Sequence, residues 1–466
     1  MNNKQIAAAV AAILGTAAGS AANAQSSVTT PTAAANPTVS LYIAGSSAAS
    51  KGVLAALETD LCGGNYLLFQ STGNKNFFAV SCNPASGVAG ATNNTTPYTV
   101  WYRDEGGSVV GVLPIVTGYS PKQLNLSNFT TATVTASGSA SIVTVTLTGV
   151  STGNGIDDSF GPAAALVGEP VQFGISDVEP AVFGNSSKNN YPTPYSTTVW
   201  GSAALSSITS LSSGTLFDEV YGIFVNDTSL VEGGAAVSTT NPLKLSTSMV
   251  ANILTKTVTN WSLVTDTAGA AVATSSVPIV IVNREVGSGS RAATDLLITG
   301  DACQTQGKPI SEQLAVTKTS NPNVDYFATG DVLAAANTIT GAITYATIDQ
   351  SAANLSLVSL DGIAPTNAAA ATGQYNFWVE ASYIVNSAQI TGGAAQSSLV
   401  TFLTTELQNV ATAPHVSDVL AIPGTNNPAT VALTPNTAAA ALGGATIYIN
   451  PFTRAGATCN IPGYQP

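Results

Sequence analysis

Two short runs of glycine and serine, Gly45-Ser46-Ser47 and Gly287-Ser288-Gly289-Ser290, stand where strand-like sequence gives way to helical sequence. A turn of this kind leaves the first N–H groups of the helix unpaired and aimed at one point, where the helix dipole favours an anion. Serine hydroxyls add donors, and glycine lets a ligand approach the backbone closely. Arg284, just ahead of the second run, can add a bidentate, charge-assisted contact. If the two turns face each other across a gap, the chemistry is non-covalent capture of one small oxyanion. Asp177 is the odd member, because a carboxylate repels an anion unless the ligand still carries a proton to donate. Each feature has a plainer reading. Taken singly, Gly/Ser turns are ordinary connections, Asp177 fits a turn cap, and Arg284 fits an inter-lobe ion pair. Arg103 has Asp104 and Glu105 beside it for local pairing, and Trp261, Phe377 and Trp378 suit core packing.

Catalytic chemistry has less to draw on. A Ser-His-Asp site could use only His415, and neither GSSAAS nor GSGS has the GxSxG form of a nucleophile elbow. The cysteine spacings do not suit a zinc site, and no metal or cofactor is expected.

The elements that would position these residues alternate. Val39 to Ile43 reads as a strand, followed by the first turn and a helical run from Val53 to Leu61. Strand-like runs recur at Thr99 to Tyr102, Val171 to Ile175, Val220 to Val225, Val277 to Val282, Gly341 to Ala346 and Tyr375 to Val385. Helical patterns occupy Ser246 to Leu254, Arg291 to Leu297 and Ser397 to Val410. Such alternation predicts an α/β fold with largely parallel strands. Phe129 to Val150 alternates Thr with Val, Ile and Ala around ASGSAS, which predicts a β-hairpin inserted as a flap or surface ribbon. Pro423 to Gly444 reads as loop.

With 466 residues the chain suits two lobes with insertions. Only 8% of its residues are charged, against about a quarter in an average domain, and the formal charge is −12 from 13 basic and 25 acidic residues. An acidic chain without a Lys/Arg run is a poor partner for nucleic acid or anionic lipid. An anionic ligand would have to be held by local donors, with the overall field screened over about 8 Å.

Residues 1–24 read as an export signal: Lys4, an apolar run from Ile6 to Leu14, then Ala22-Asn23-Ala24. That run is shorter than the roughly 20 residues a membrane span needs, and no cysteine at the cleavage site suggests a lipid anchor. Residues 25–38 read as a flexible leader. The four cysteines of an exported chain suit two disulfides. Three connectivities are open; the favoured one joins Cys62 to Cys82, because that loop is local, and Cys303 to Cys459.

An ordered set of segments resembles the phosphate-type (type II) periplasmic-binding-protein family. IAGSSAAS stands at its opening turn and FGISDVEP resembles its first-lobe segment, while STSMVANILTKTVTNWS resembles its helix-and-tryptophan segment. VPIVIVNREVGSGSRAATDLL resembles its second-lobe signature, GAITY one of its strands, and YNFWVEASYIV its returning strand. The resemblance covers most of Leu41 to Val410. It implies a two-lobed α/β fold with an inserted β-hairpin. The first lobe would comprise 39–225 plus 376–466, with the hairpin insertion at 116–165, and the second lobe 226–375. It also implies an exported, non-enzymatic binder of phosphate or a related oxyanion, with an ABC permease as a possible partner. Position by position it implies Ser47, Ala48, Ser108, Asp177, Arg284, Ser288, Gly289 and Ser290 as ligand contacts, with Asp177 accepting the ligand's proton. The chain departs from the family at Ala48, usually aromatic, and at Val286, usually the aspartate that holds the arginine; Glu285 or Glu105 is the nearby substitute. The second reading is a secreted or surface scaffold that keeps the fold without the ligand and self-assembles through strand edges.

Overall fold

The computed structural model describes residues 29–71, 76–129, 134–137, 140–145, 166–184, 207–208, 211, 213–285, 287–301, 303–304, 306–311, 326, 328–408, 419–420, 440–442, 445–447 and 450–464. The export signal, His415, Val286 and most of Pro423 to Gly444 lie outside them.

Part of the segment read as a flexible leader is described. Pro31–Ala35 forms a short helix, α1, with Pro at its start and the Thr30 hydroxyl accepting from Ala33 N at 3.2 Å. Ala34 is buried, and its carbonyl accepts from the Thr99 hydroxyl at 3.0 Å. Burial of one small apolar face fixes a segment whose composition alone suggests none.

From there the first lobe runs β1 (Val39–Gly45), α2 (Ser50–Ala55, continuing as a π-helix over Ala56–Leu61), β2 (Leu67–Ser71), β3 (Phe77–Cys82) and β4 (Tyr98–Arg103). It continues with α3 (Ser108–Thr117), β5 (Val134–Ser137), β6 (Ala140–Val145) and β7 (Phe173–Ser176). A long strand, β8 (Gly214–Asn226), leads into α4 (Thr247–Leu254), β9 (Val280–Ile281), α5 (Gly289–Leu297), α6 (Thr329–Thr338) and β10 (Ala342–Thr347). The chain returns along β11 (Trp378–Val385) to α7 (Gly393–Gln408).

The strands follow the order β9-β10-β8-β11-β7-β1-β4-β3-β2-β6-β5. The sheet divides along β8. Its first half, Gly214 to Val220, pairs with β11, and its second half, Tyr221 to Asn226, pairs with β10 and with Leu355–Leu357. The result is a two-lobed α/β molecule in which β8 serves both lobes and β11 carries the chain back from the second lobe to the first.

The expectation of largely parallel strands is corrected. β1 runs parallel to β4 and β7, and β9 parallel to β10, whereas β8–β10, β8–β11, β11–β7, β2–β3 and β3–β4 are all antiparallel. The cause is the pair of strands that carry the chain between lobes, together with the local β2–β3 hairpin. The expected flap is also corrected: β5 and β6 do form a hairpin, but β6 lies parallel to β2 and extends the main sheet, with Val143 buried. Helix α3, with Pro114 inside it, carries no polar face that would mark it as helical, since nearly all of it is buried.

Both disulfides form as the favoured pairing has them, Cys62–Cys82 and Cys303–Cys459. Trp261 is core, fully buried with its indole N–H donating to Gly341 O at 2.9 Å. One apolar cluster runs through both lobes, joining Val109, Val110 and Leu113 of α3 to Tyr221, Trp261 and Leu296.

Candidate functional site at the lobe junction

The opening turn is set by close backbone packing. Gly45 has φ +138°, and a Cβ there would sit 1.8 Å from Ile175 O, so only glycine lets β1 and β7 end side by side. Ser46 then turns the chain: its N–H donates to Ile175 O at 3.0 Å, and its hydroxyl accepts from Ala48 N and Ala49 N, both at 3.0 Å. Ser47 is thereby left facing the other lobe.

The second helix start is α3, reached through Gly106 and Gly107 at φ +90° and +68°. The third is α5, where Gly287 has φ +97° and the Ser288 hydroxyl accepts from Arg291 N at 3.4 Å. These last two starts abut: Val109 N donates to Gly287 O at 3.0 Å. A Cβ on Gly289 would lie 2.2 Å from Ser108 Oγ and 2.4 Å from Asp177 Oδ2, so the Asp177 carboxylate sits directly at the start of α5. Asp177 N donates to Ser108 Oγ at 3.0 Å. The phenol of Tyr221 reaches this cluster from β8, beside Ser290 and Asp177, and donates to Glu219 Oε2 at 3.1 Å.

Arg284 is buried and held in a fixed pose. Its N–H donates to Tyr345 OH at 3.2 Å, Nε donates to Tyr326 O at 3.3 Å, and its own carbonyl accepts from Arg291 Nη1 at 2.9 Å. Its Nη1 reaches Thr329 Oγ1 at 2.9 Å and, across the junction, Ser47 Oγ at 3.3 Å. Ser47 and Thr329 lie 3.1 Å apart.

Burial dominates the electrostatics. It pushes the Asp104 carboxyl up to about 7, with Arg284 the largest influence pulling it back. Burial also raises Asp177, against which the hydroxyls of Ser46 and Tyr221, the Arg284 charge and Ser108 pull downward. Tyr221 is held well above its ordinary value by burial and then by the charges of Asp177 and Glu219. The carboxyl groups of Asp104, Glu105, Asp177, Glu219 and Glu285 are buried alongside the guanidiniums of Arg103, Arg284 and Arg291.

Seven of the eight positions named from sequence therefore gather at this junction. Ser108, Asp177, Gly289 and Ser290 form one knot, Ser47 and Arg284 a second beside it, and Ser288 caps the helix between them. Ala48, the other position matched to the family, is buried, and its N–H is turned to Ser46. Glu105 pairs with Arg103, their nearest charged atoms 3.8 Å apart, and the Arg284 charge also acts on Asp104. Arg103 keeps the local pairing its neighbours suggest and stacks over the Phe77 ring at 5.2 Å. Sequence reasoning did not single out Thr329, Tyr221, Glu219 or Asp104 as site residues. Only Asp104 carried a signal, its place beside the Gly106-Gly107 turn.

Residues 223–406 match the family model of a PBP superfamily domain. No curated protein matches the chain by sequence. Among solved structures, one described as a phosphate ABC transporter substrate-binding protein from Clostridium perfringens, with bound phosphate, is 12% identical with a TM-score of 0.42. It covers 82% of this chain and 100% of its own. A phosphate-binding protein from Stenotrophomonas maltophilia is 13% identical with a TM-score of 0.39, covering 79% of this chain and 84% of its own.

Proposed function

With residues 223–406 matching the model of a PBP superfamily domain, we propose that this chain is an exported binding protein that holds one small, proton-bearing oxyanion at the lobe junction, phosphate being the plainest case. The observation that carries the reading is the meeting of two helix N-termini, at Ser108 and Gly289, around the buried Asp177, with the buried Arg284 and Ser47 beside them. Helix starts and a fixed guanidinium supply donors, and the raised carboxyl of Asp177 supplies an acceptor for the ligand's proton. Such a set binds a ground state and by itself lowers no barrier, so the role is capture rather than turnover. Delivery to an ABC permease would be the natural sequel.

A scaffold that keeps the fold without a ligand is favoured by one observation: the junction is closed by the chain's own groups, Asp177 on Gly289 and Val109 on Gly287. Thermal unfolding with phosphate, arsenate and sulfate separates the two readings. A ligand at a hundredfold excess over its Kd adds about 2.7 kcal/mol of stability. Phosphate and arsenate are expected to raise Tm and sulfate to leave it unchanged. No response to millimolar concentrations of any of the three would leave the scaffold.

A further inference from the structure

The C-terminal segment 450–460 lies along the line where the lobes meet. Asn450 Nδ2 donates to Asp218 Oδ2 of β8 at 2.6 Å. Arg454 donates to Trp378 O at 3.2 Å and Asn376 O at 2.7 Å, stacks over the Trp378 ring at 4.6 Å, and gives its N–H to Glu380 Oε1 of β11 at 3.0 Å. These contacts seat the segment on both strands that pass between lobes. One end is tied to the first lobe, where Thr458 N donates to the Glu179 carboxylate at 3.0 and 3.1 Å, just past β7. The adjoining residue is tied to the second lobe by Cys459–Cys303, just past α5.

Beyond Arg454 the segment has little apolar seating. A cavity of about 700 Å³ opens between it and the second lobe, walled by Leu296, Ile298, Phe377, Arg454 and the disulfide itself, and Ile461 at its edge is 91% exposed. Packing does not hold the segment to the second lobe there, so the covalent link has to.

We propose that residues 450–460 are a strap across the crossing strands, fastened to the second lobe by Cys303–Cys459, that restrains separation of the lobes. Bending about β8 and β11 changes the distance between Glu179 and Cys303, and the adjoining ties at Thr458 and Cys459 oppose that change. The inference does not depend on what, if anything, binds at the junction.

Val109 N–H reports lobe separation directly, because its acceptor Gly287 O is on the other lobe. Hydrogen exchange is compared between the full chain and its C303S/C459S variant, which keeps Cys62–Cys82. The strap is expected to show as exchange about tenfold faster around Val109, with β1 and β4 unchanged. Thr458→Val, which keeps the disulfide and loses the hydroxyl contact to Glu179, is expected to shift Val109 in the same direction by a smaller factor, and it decides alone if the serine pair does not fold. Unchanged exchange at Val109, or equal acceleration in β1 and β4, overturns the proposal.

Discussion

Arg284 is the residue on which the proposed capture depends most, because its guanidinium reaches from the second lobe to Ser47 on the first. A hydrogen bond to a charged group is worth about 1.5–3 kcal/mol, so Arg284→Lys, which loses the planar fork, is expected to weaken phosphate affinity roughly ten- to a hundredfold by calorimetry. Gly289 makes a different demand. Its missing Cβ is the space that Ser108 Oγ and Asp177 Oδ2 occupy, so Gly289→Ala is expected to cost about 1–3 kcal/mol in denaturant unfolding. Asp104 sets a pH dependence. Burial raises its folded value to about 7, so the folded chain binds more protons than the unfolded one between about pH 4 and 7. Stability is therefore expected to be greatest below that window and to fall as pH rises through it. Asp104→Asn is expected to flatten the slope. Serines and glycines at helix starts could be read from sequence because their geometry is local. Tyr221, Glu219 and Thr329 could not, since strand pairing and helix packing alone bring them to Asp177 and Arg284.

Elements set how far each helix start can be trusted to stay in place. Strand and helix positions were largely legible, from Val39 to Ile43 through Tyr375 to Val385, because apolar alternation and capping serines are short-range signals. Strand direction was not. Nothing in Val220 to Val225 says that the strand begins at Gly214 and serves two lobes, and nothing in the Thr-rich hairpin says that it joins β2 rather than standing clear. Helix α3 escaped notice because burial on every side removes the polar face that periodicity needs. The disulfides differ in reach. By loop entropy, closing 20 residues at Cys62–Cys82 is worth about 3 kcal/mol and closing 156 at Cys303–Cys459 about 5 kcal/mol. Removing the second by serine substitution is therefore expected to lower Tm more than removing the first.

At the scale of the whole molecule, two lobes meet over a buried, polar junction and an apolar cluster that passes from one to the other. Lys51 also pairs with Asp349 across the lobes, yet Lys51 is half exposed. An exposed pair of this kind contributes about 1 kcal/mol at most, so Lys51→Ala is expected to change stability and phosphate affinity little. Closure rests on the junction instead. The central claim is that an oxyanion sits where α3 and α5 begin, and the most direct test is anomalous diffraction from crystals grown with arsenate. One arsenic peak is expected within contact distance of Ser47, Arg284 and Gly289. Well-ordered crystals with no peak there, the junction still filled by Asp177, would contradict it.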